Sequence, residues 1–272
     1  MTYLQSIVLG IIQGVTEFLP ISSSGHLVFA VYVFNWVIPQ QDIFVFDVLV
    51  QLGTLLAVII YFWRDLYQIG CEFILGIFHR RPFASPDSRI GWFLILATIP
   101  AVLIGSALKD QIEVTFSSPL LAGVFLLVTA GLLVVAEKAS RLTRSLQMVS
   151  WRDALIMGFF QALALFPGIS RSGATITGGM IRNLDRTASA RFSFLMSIPV
   201  MLGAGILASL DLFKVPDLSR MMPVVLLGFL TSAIVGYLAI RWLLHYLVNH
   251  SLYLFAIYCT VIGTAVILSV VL

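Results

Sequence analysis

Residues 13–29 read QGVTEFLPISSSGHLVF. This stretch sets a carboxylate (Glu17), a proline (Pro20), three serines in a row (Ser22, Ser23, Ser24) and a histidine (His26) inside sequence otherwise greasy enough for lipid. Ionisable groups in such a setting are costly and mark functional sites by default. What surrounds them decides the fold.

The surroundings are those of a polytopic membrane protein. Of 272 residues, 60% are hydrophobic and 11% charged, and the mean hydropathy is +1.02. A soluble domain carries about 25% charged residues. The N-terminus, MTYLQSIVLG, lacks a basic n-region and a small-residue cleavage site, so no cleavable signal peptide is expected and the first helix stays. Cys71 and Cys259 stand apart without metal spacing and read as small buried hydrophobes. No soluble domain, nucleic-acid patch or low-complexity linker is present, and residues 1–272 read as a single membrane domain.

Six segments are long and apolar enough to span: 44–63, 89–108, 119–137, 188–211, 221–244 and 251–271. Two other apolar regions are short and interrupted. Residues 3–19 and 24–38 are split by Pro20 and the serines, and residues 153–166 and 171–182 by FPGISRSG. Short, Pro/Gly-broken segments in matching places predict re-entrant helical hairpins. Residues 66–78 predict an interfacial helix, followed by a polar loop at 78–89.

The two broken regions are related. A gapless shift of 148 residues aligns Gly10 with Gly158, Gln13 with Gln161, Phe18 with Phe166, Ile21 with Ile169, Ser22 with Ser170, Ser24 with Ser172 and Gly25 with Gly173. That is seven identities over residues 10–25, where chance gives about one. Each hairpin precedes three spans. A hairpin returns to its own side and three spans is odd, so repeat 2 (150–272) is expected to be inverted relative to repeat 1 (1–140).

Charge agrees with that topology. With hairpin 1 entering from one side, Lys109, Lys214 and Arg220 share that side. The opposite side receives Arg64, Arg80, Arg81, Arg89, Lys138, Arg141, Arg144, Arg152, Arg182, Arg186, Arg191 and Arg241. Arg171, the remaining cation, lies inside hairpin 2. The richer side is the cytoplasm by the positive-inside rule. Glu113, Asp211 and Asp217 fall near the outer ends of spans and read as interfacial.

Each hairpin tip reads helix, break, helix, with Ser22 and Ser170 as N-caps. Two helix N-termini that meet near the midplane suit a ligand with adjacent anionic groups, such as a diphosphate. The tips have diverged. The first carries Glu17, Ser23 and His26 where the second carries Leu165, Arg171 and Ala174. Gln13 and Glu17 share a helix face, as do Ser23 and His26. Arg171 presents a planar fork matched to phosphate oxygens. Gln13, Ser22, Ser24, Gly25, Ser170, Ser172, Gly173 and Thr175 are further candidates for phosphate contact, and Gln51 for lining the same cavity. Against this stands the plainer reading of Glu17 and Arg171 as an ion pair that locks the hairpins.

QGVTEFLPISSSGH resembles the (E/Q)xxxE–PxSSxGH signature of the bacitracin-resistance type of undecaprenyl-diphosphate phosphatase. PGISRSGATITGG (167–179) is similar to the second signature of that family, PGxSRSGAT. The resemblance runs over the whole chain. It implies an inverted-repeat membrane hydrolase that converts undecaprenyl diphosphate to the monophosphate carrier of peptidoglycan synthesis. It further implies a cytoplasmic (inner) membrane location, competition with bacitracin for the substrate, and a divalent cation, Mg²⁺ or Ca²⁺. The catalytic residues of the family fall on Glu17, Ser23, His26 and Arg171, with Glu17 as the metal ligand. Ser170, Ser172 and Thr175 match supporting phosphate ligands. Gln13 departs from the second Glu of many members, which leaves one carboxylate in the motif. Ser23 activated by His26, His26 itself, or a water activated by Glu17 all remain open as nucleophile. The site is expected to face the periplasm, and a homodimer is one assembly compatible with the chain. A transporter or flippase of a phosphorylated polyprenyl lipid is the other class that fits broken helices and an anion site.

Overall fold

A computed structural model describes residues 1–108, 111, 112, 115, 118–212 and 218–272. Lys109, Glu113, Lys214 and Asp217, and the side chains of Asp211 and Arg220, lie outside the described residues. Among the described residues the protein is all-helical, with eleven α-helices and no strand. They are α1 (Tyr3–Phe18), α2 (Ser23–Val33), α3 (Gln40–Tyr61), α4 (Trp63–Phe78), α5 (Pro86–Ala107), α6 (Pro119–Ala139), α7 (Trp151–Leu163), α8 (Arg171–Ile181), α9 (Arg186–Leu212), α10 (Leu218–Asn249) and α11 (Tyr253–Val271).

Six of these, α3, α5, α6, α9, α10 and α11, are long and apolar enough to cross a bilayer, and each overlaps a predicted span. This is a multi-pass membrane protein. The predicted interfacial segment begins three residues earlier than expected, as α4, with Tyr67, Ile74 and Phe78 exposed. Cys259 is buried as predicted, but Cys71 on α4 is only partly so.

The broken regions form two helix–break–helix units, α1–α2 and α7–α8. The sequence predicts a second helix of unit 1 reaching residue 38, but α2 stops at Val33. The reason is Asn35, which takes a left-handed conformation (φ 50°) and turns the chain back, with the Trp36 N–H donating to Val31 O and the Asn35 N–H to Tyr32 O. Asn is among the few residues other than glycine that tolerate this helix-ending geometry. Unit 2 ends the same way: Asn183 (φ 64°) follows α8, with Leu184 N–H to Gly179 O and Asn183 N–H to Met180 O. Each of these four residues lies 148 positions after its counterpart. The duplication seen at the tips therefore extends to the helix ends.

Packing repeats too. The first helix of unit 1, α1, lies against α10, and the first helix of unit 2, α7, against α5. Helix α3 packs on α10, and α9 on α5. Close approach is achieved through glycines: a Cβ on Gly10 would meet Gly228 O at 2.8 Å, and one on Gly158 would meet Ala97 O at 2.5 Å. Small residues at helix crossings are how membrane helices gain packing contacts where lipid offers no hydrophobic drive.

Candidate functional site

The two breaks meet. Ser22 and Ser170 cap α2 and α8 as predicted, accepting from the N–H groups of Gly25 (3.4 Å) and Gly173 (3.1 Å). Their hydroxyls also pair with Ser24 (3.3 Å) and Ser172 (3.1 Å). Ser22 holds φ 69°, an uncommon value for a serine, at the point where the chain must reverse into α2. Gly168 does the same for unit 2 at φ 100°, and a Cβ there would strike Ala122 O at 2.3 Å. Thr129 on α6 props that turn, donating to Gly168 O and accepting from the Ser170 N–H, both at 3.0 Å. A Cβ on Gly25 would lie only 3.5 Å from the Cα of Gly168, and Ser172 Oγ donates across to Leu19 O at 3.0 Å. The tips thus touch through backbone and hydroxyl.

Glu17 is the centre of the junction. Its Oε2 accepts from Ser23 Oγ at 2.6 Å and from Gln13 Nε2 at 3.0 Å, and its Oε1 from Arg171 Nη2 at 2.8 Å. Arg171 Nη1 is buried with no partner among the described residues. A buried guanidinium nitrogen left bare is costly and calls for an acceptor. Gln13 is itself buried, within 3.5 Å of Thr54 Oγ1 on α3.

Ser23, Ser24, Gln13 and Gln51 line a cavity of about 460 Å³ between α1, α2 and α3. Gln13 and Ser23 form its common wall with the Glu17–Arg171 pair. Along each helix the lining changes from polar to apolar: Gln13 to Leu9 on α1, Ser23 and Ser24 to Leu27 and Val31 on α2, Gln51 and Asp47 to Ile43 on α3. Asp47 escaped the sequence reading. Its signal was there, a carboxylate inside a span four residues before Gln51 and hence on the same face.

Not every predicted residue joins this group. The hydroxyls of unit 2 are spent on structure. Ser170 caps α8, Ser172 bonds to Leu19 O, and Thr175 donates to Arg171 O (2.7 Å) and pairs with Ser193 on α9 (2.6 Å). A Cβ on Gly173 would press on Ser170 and Thr129, so this glycine serves the cap. His26 points away from Ser23. Its Nδ1 donates to Ser22 O at 2.7 Å, which in the neutral ring leaves Nε2 to accept from the Tyr258 hydroxyl at 2.8 Å. The rings of His26 and Tyr258 stack at 5.6 Å and 11°. Tyr258, on α11, was invisible to motif reading because it lies 232 residues from its partner.

On the far side of unit 2, Asp153 at the start of α7 gathers Arg144 (2.6 Å), Arg182 (2.9 Å) and the hydroxyl and N–H of Ser150. Burial pushes this carboxyl up, but the bonds from Arg144, Ser150 and Arg182 outweigh it and hold it at about 2.

Residues 6–265 match the family described as bacitracin resistance protein BacA. The chain belongs to this family. Proteins similar to this BacA-family chain carry the name undecaprenyl-diphosphatase. That of Methanosphaera stadtmanae is 42% identical, covering 99% of each chain. That of Desulforudis audaxviator is 43% identical, over 97% of this chain and 96% of its own, and that of a Nocardioides species 41%, over 98% and 96%. The similarity is thus spread over the membrane domain as a whole rather than confined to the tips.

Proposed function

We propose that this protein is an undecaprenyl-diphosphate phosphatase, a hydrolase that releases the terminal phosphate of a polyprenyl diphosphate to regenerate the monophosphate carrier. The observation that carries this reading is Glu17 bridging a hydroxyl and a guanidinium, 2.6 Å from Ser23 Oγ and 2.8 Å from Arg171 Nη2, with Arg171 Nη1 still bare. An ion pair that only locked two hairpins would have no use for a serine on the carboxylate or for an unsatisfied nitrogen. The relatives named undecaprenyl-diphosphatase support the substrate class. So does the cavity, with polar residues at the depth of the tips and apolar ones beyond, for a charged head and the first isoprene units.

The chemistry follows from position and charge. Arg171 takes the terminal phosphate by its free nitrogen and neutralises charge on the transferring group. Ser23 Oγ attacks phosphorus while Glu17 accepts its proton, and the polyprenyl monophosphate leaves. Water then attacks the phosphoserine, returning the serine hydroxyl and releasing inorganic phosphate. His26 is held in the Nδ1–H form by Ser22 and Tyr258, with both ring nitrogens engaged outside the Glu17 cluster.

The resemblance also implies a Mg²⁺ or Ca²⁺ ion, which would screen the phosphate oxygens. Glu17, its expected ligand, already uses three of about four acceptor positions. Among the described residues no three His, Cys, Asp or Glu side chains gather into a cage. The oxygen donors of the cavity, Asp47 with Gln13, Gln51 and Ser24, do fit an ion carried partly by substrate phosphates.

In the bilayer, α1–α2 and α7–α8 are re-entrant hairpins from opposite faces and the halves are inverted repeats. The recurrence of the Asn35 and Asn183 caps and the matched packing of α1 on α10 and α7 on α5 support this. The twelve-to-three split of cations supports a first hairpin and cavity that open to the periplasmic side of the bacterial inner membrane.

Phosphate release from undecaprenyl diphosphate by the purified protein in detergent tests the reading. Turnover that Glu17→Ala abolishes in folded protein is the expected result. Tight lipid binding without phosphate release, with Mg²⁺ or Ca²⁺ present, overturns it and points to transport.

A further inference from the structure

We infer that Asp47 is the protein's carboxylate ligand for the divalent cation, in place of Glu17. The inference rests on the diphosphatase reading above and deepens it. Glu17 is committed: Arg171, Ser23 and Gln13 surround its carboxylate, and a cation beside Arg171 would be repelled by it. Asp47 is the carboxylate left over. It lines the cavity that Gln13 and Ser23 also line, whereas Glu17 and Arg171 do not line it. The ion pairs among the described residues join Met1 to Asp42, Arg144 and Arg182 to Asp153, Arg171 to Glu17, Arg186 to Glu137 and Arg191 to Asp65, so none engages Asp47.

A carboxylate in the first third of a span, with no ion-pair partner among the described residues, needs a reason. In a cavity meant for a diphosphate it needs a stronger one, since the bound diphosphate would add a second anion beside it. An intervening divalent cation resolves both difficulties. The remaining polar lining is made of oxygen-bearing side chains: the amides of Gln13 and Gln51 and the hydroxyls of Ser23 and Ser24. Such hard oxygen donors suit Mg²⁺ or Ca²⁺, and Mg²⁺ is commonly held by one or two carboxylates plus substrate phosphates rather than by a closed protein cage. Gln51 lies one helical turn from Asp47, so α3 presents a carboxylate and an amide oxygen together. The arrangement also accounts for Gln13, because a second carboxylate in the first motif is not needed if α3 supplies it.

The test is direct binding of Mn²⁺, counted by electron paramagnetic resonance on purified protein with a methylene-bridged polyprenyl diphosphonate that cannot be hydrolysed. The wild type is expected to take up one Mn²⁺ per chain. Asp47→Asn keeps the shape and is expected to weaken binding by about tenfold or more, as loss of a metal-supporting group does. Asp47→Glu and Glu17→Gln are expected to keep Mn²⁺ bound. Gln51→Leu, weakening the ion without touching Asp47, decides the matter if Asp47→Asn does not fold. Unchanged binding in folded Asp47→Asn, loss in Glu17→Gln, or no uptake by the wild type overturns the inference. Phosphate release from the natural substrate, run alongside, separates the two readings. Release with Mn²⁺ binding indifferent to Asp47 sinks only this inference, while Asp47-dependent binding without release sinks only the phosphatase.

Discussion

Ser23 donates its hydroxyl to Glu17 at 2.6 Å across the break between α1 and α2, six residues apart in sequence. The break makes the contact. Had the helix run on through Pro20, residues 17 and 23 would lie on different faces. Instead Ser22, forced to φ 69°, swings the start of α2 back over the end of α1. The second unit supplies Arg171 to the same carboxylate from 154 residues away. Assembly of the site is therefore a consequence of how the two tips pack.

Arg171→Lys preserves charge but not the fork. Lysine cannot hold Glu17 and leave a second nitrogen for phosphate with fixed geometry. Turnover is expected to fall by about a hundredfold, the scale for losing one transition-state donor, with the protein still folded. Steady-state phosphate release measures this, and a Lys variant as active as the wild type would remove the bidentate role.

Tyr258→Phe deletes the donor to His26 Nε2 and, among the described residues, no other side-chain hydrogen bond. If the hydroxyl acts by fixing the histidine, the variant should lower kcat with KM little changed, and add no further loss in a His26→Ala background. The ¹⁵N shifts of the His26 ring should also move away from the Nδ1–H pattern. Additive losses in the double variant would show that Tyr258 acts by another route.

Acid should reach the far end of unit 2 only after it has protonated ordinary carboxylates. The folded Asp153 carboxyl sits at about 2, below its usual 3.8, so its contribution is fully present above about pH 4. That contribution is lost as pH falls through about 2. Thermal unfolding of the wild type should show this acid-side loss, whereas Asp153→Asn should start lower at neutral pH and lack that component. Equal midpoints at pH 7 would mean that the Arg144–Asp153–Arg182 cluster does not hold α7 in place.

Gly53→Ala tests the α3–α10 crossing. A Cβ there would fall 2.4 Å from Phe229 O and 2.2 Å from Ser232 Oγ, so the helices must part. Overpacking of this kind costs about 1–3 kcal/mol. A lowered unfolding midpoint in detergent is expected, and because α3 carries Asp47 and Gln51, activity should drop with it. A variant of wild-type stability would mean the crossing relaxes freely.

What the sequence made legible follows from which constraints are local. Six spans are visible because bilayer thickness sets a length, and the caps at Ser22 and Ser170 because proline, serine and glycine lie within seven residues of one another. The 148-residue echo extends to Asn35 and Asn183, a further signal that lay in plain view once αL helix ends were sought. Direction is another matter. Spacing put Ser23 and His26 on one face, yet α2 is rolled so that Ser23 meets Glu17 while His26 meets α11. Likewise, that Ser172 and Thr175 bond to Leu19 and Ser193 rather than face open space depends on helices far away in the chain.

The most direct test of the account is a rapid-quench reaction with undecaprenyl diphosphate labelled on its terminal phosphate, followed by peptide mapping. Phosphate carried on Ser23 in the wild type, and absent with turnover lost in both Ser23→Ala and Glu17→Gln, is the predicted result. Label on His26, or a Ser23→Ala variant that still turns over, would contradict it.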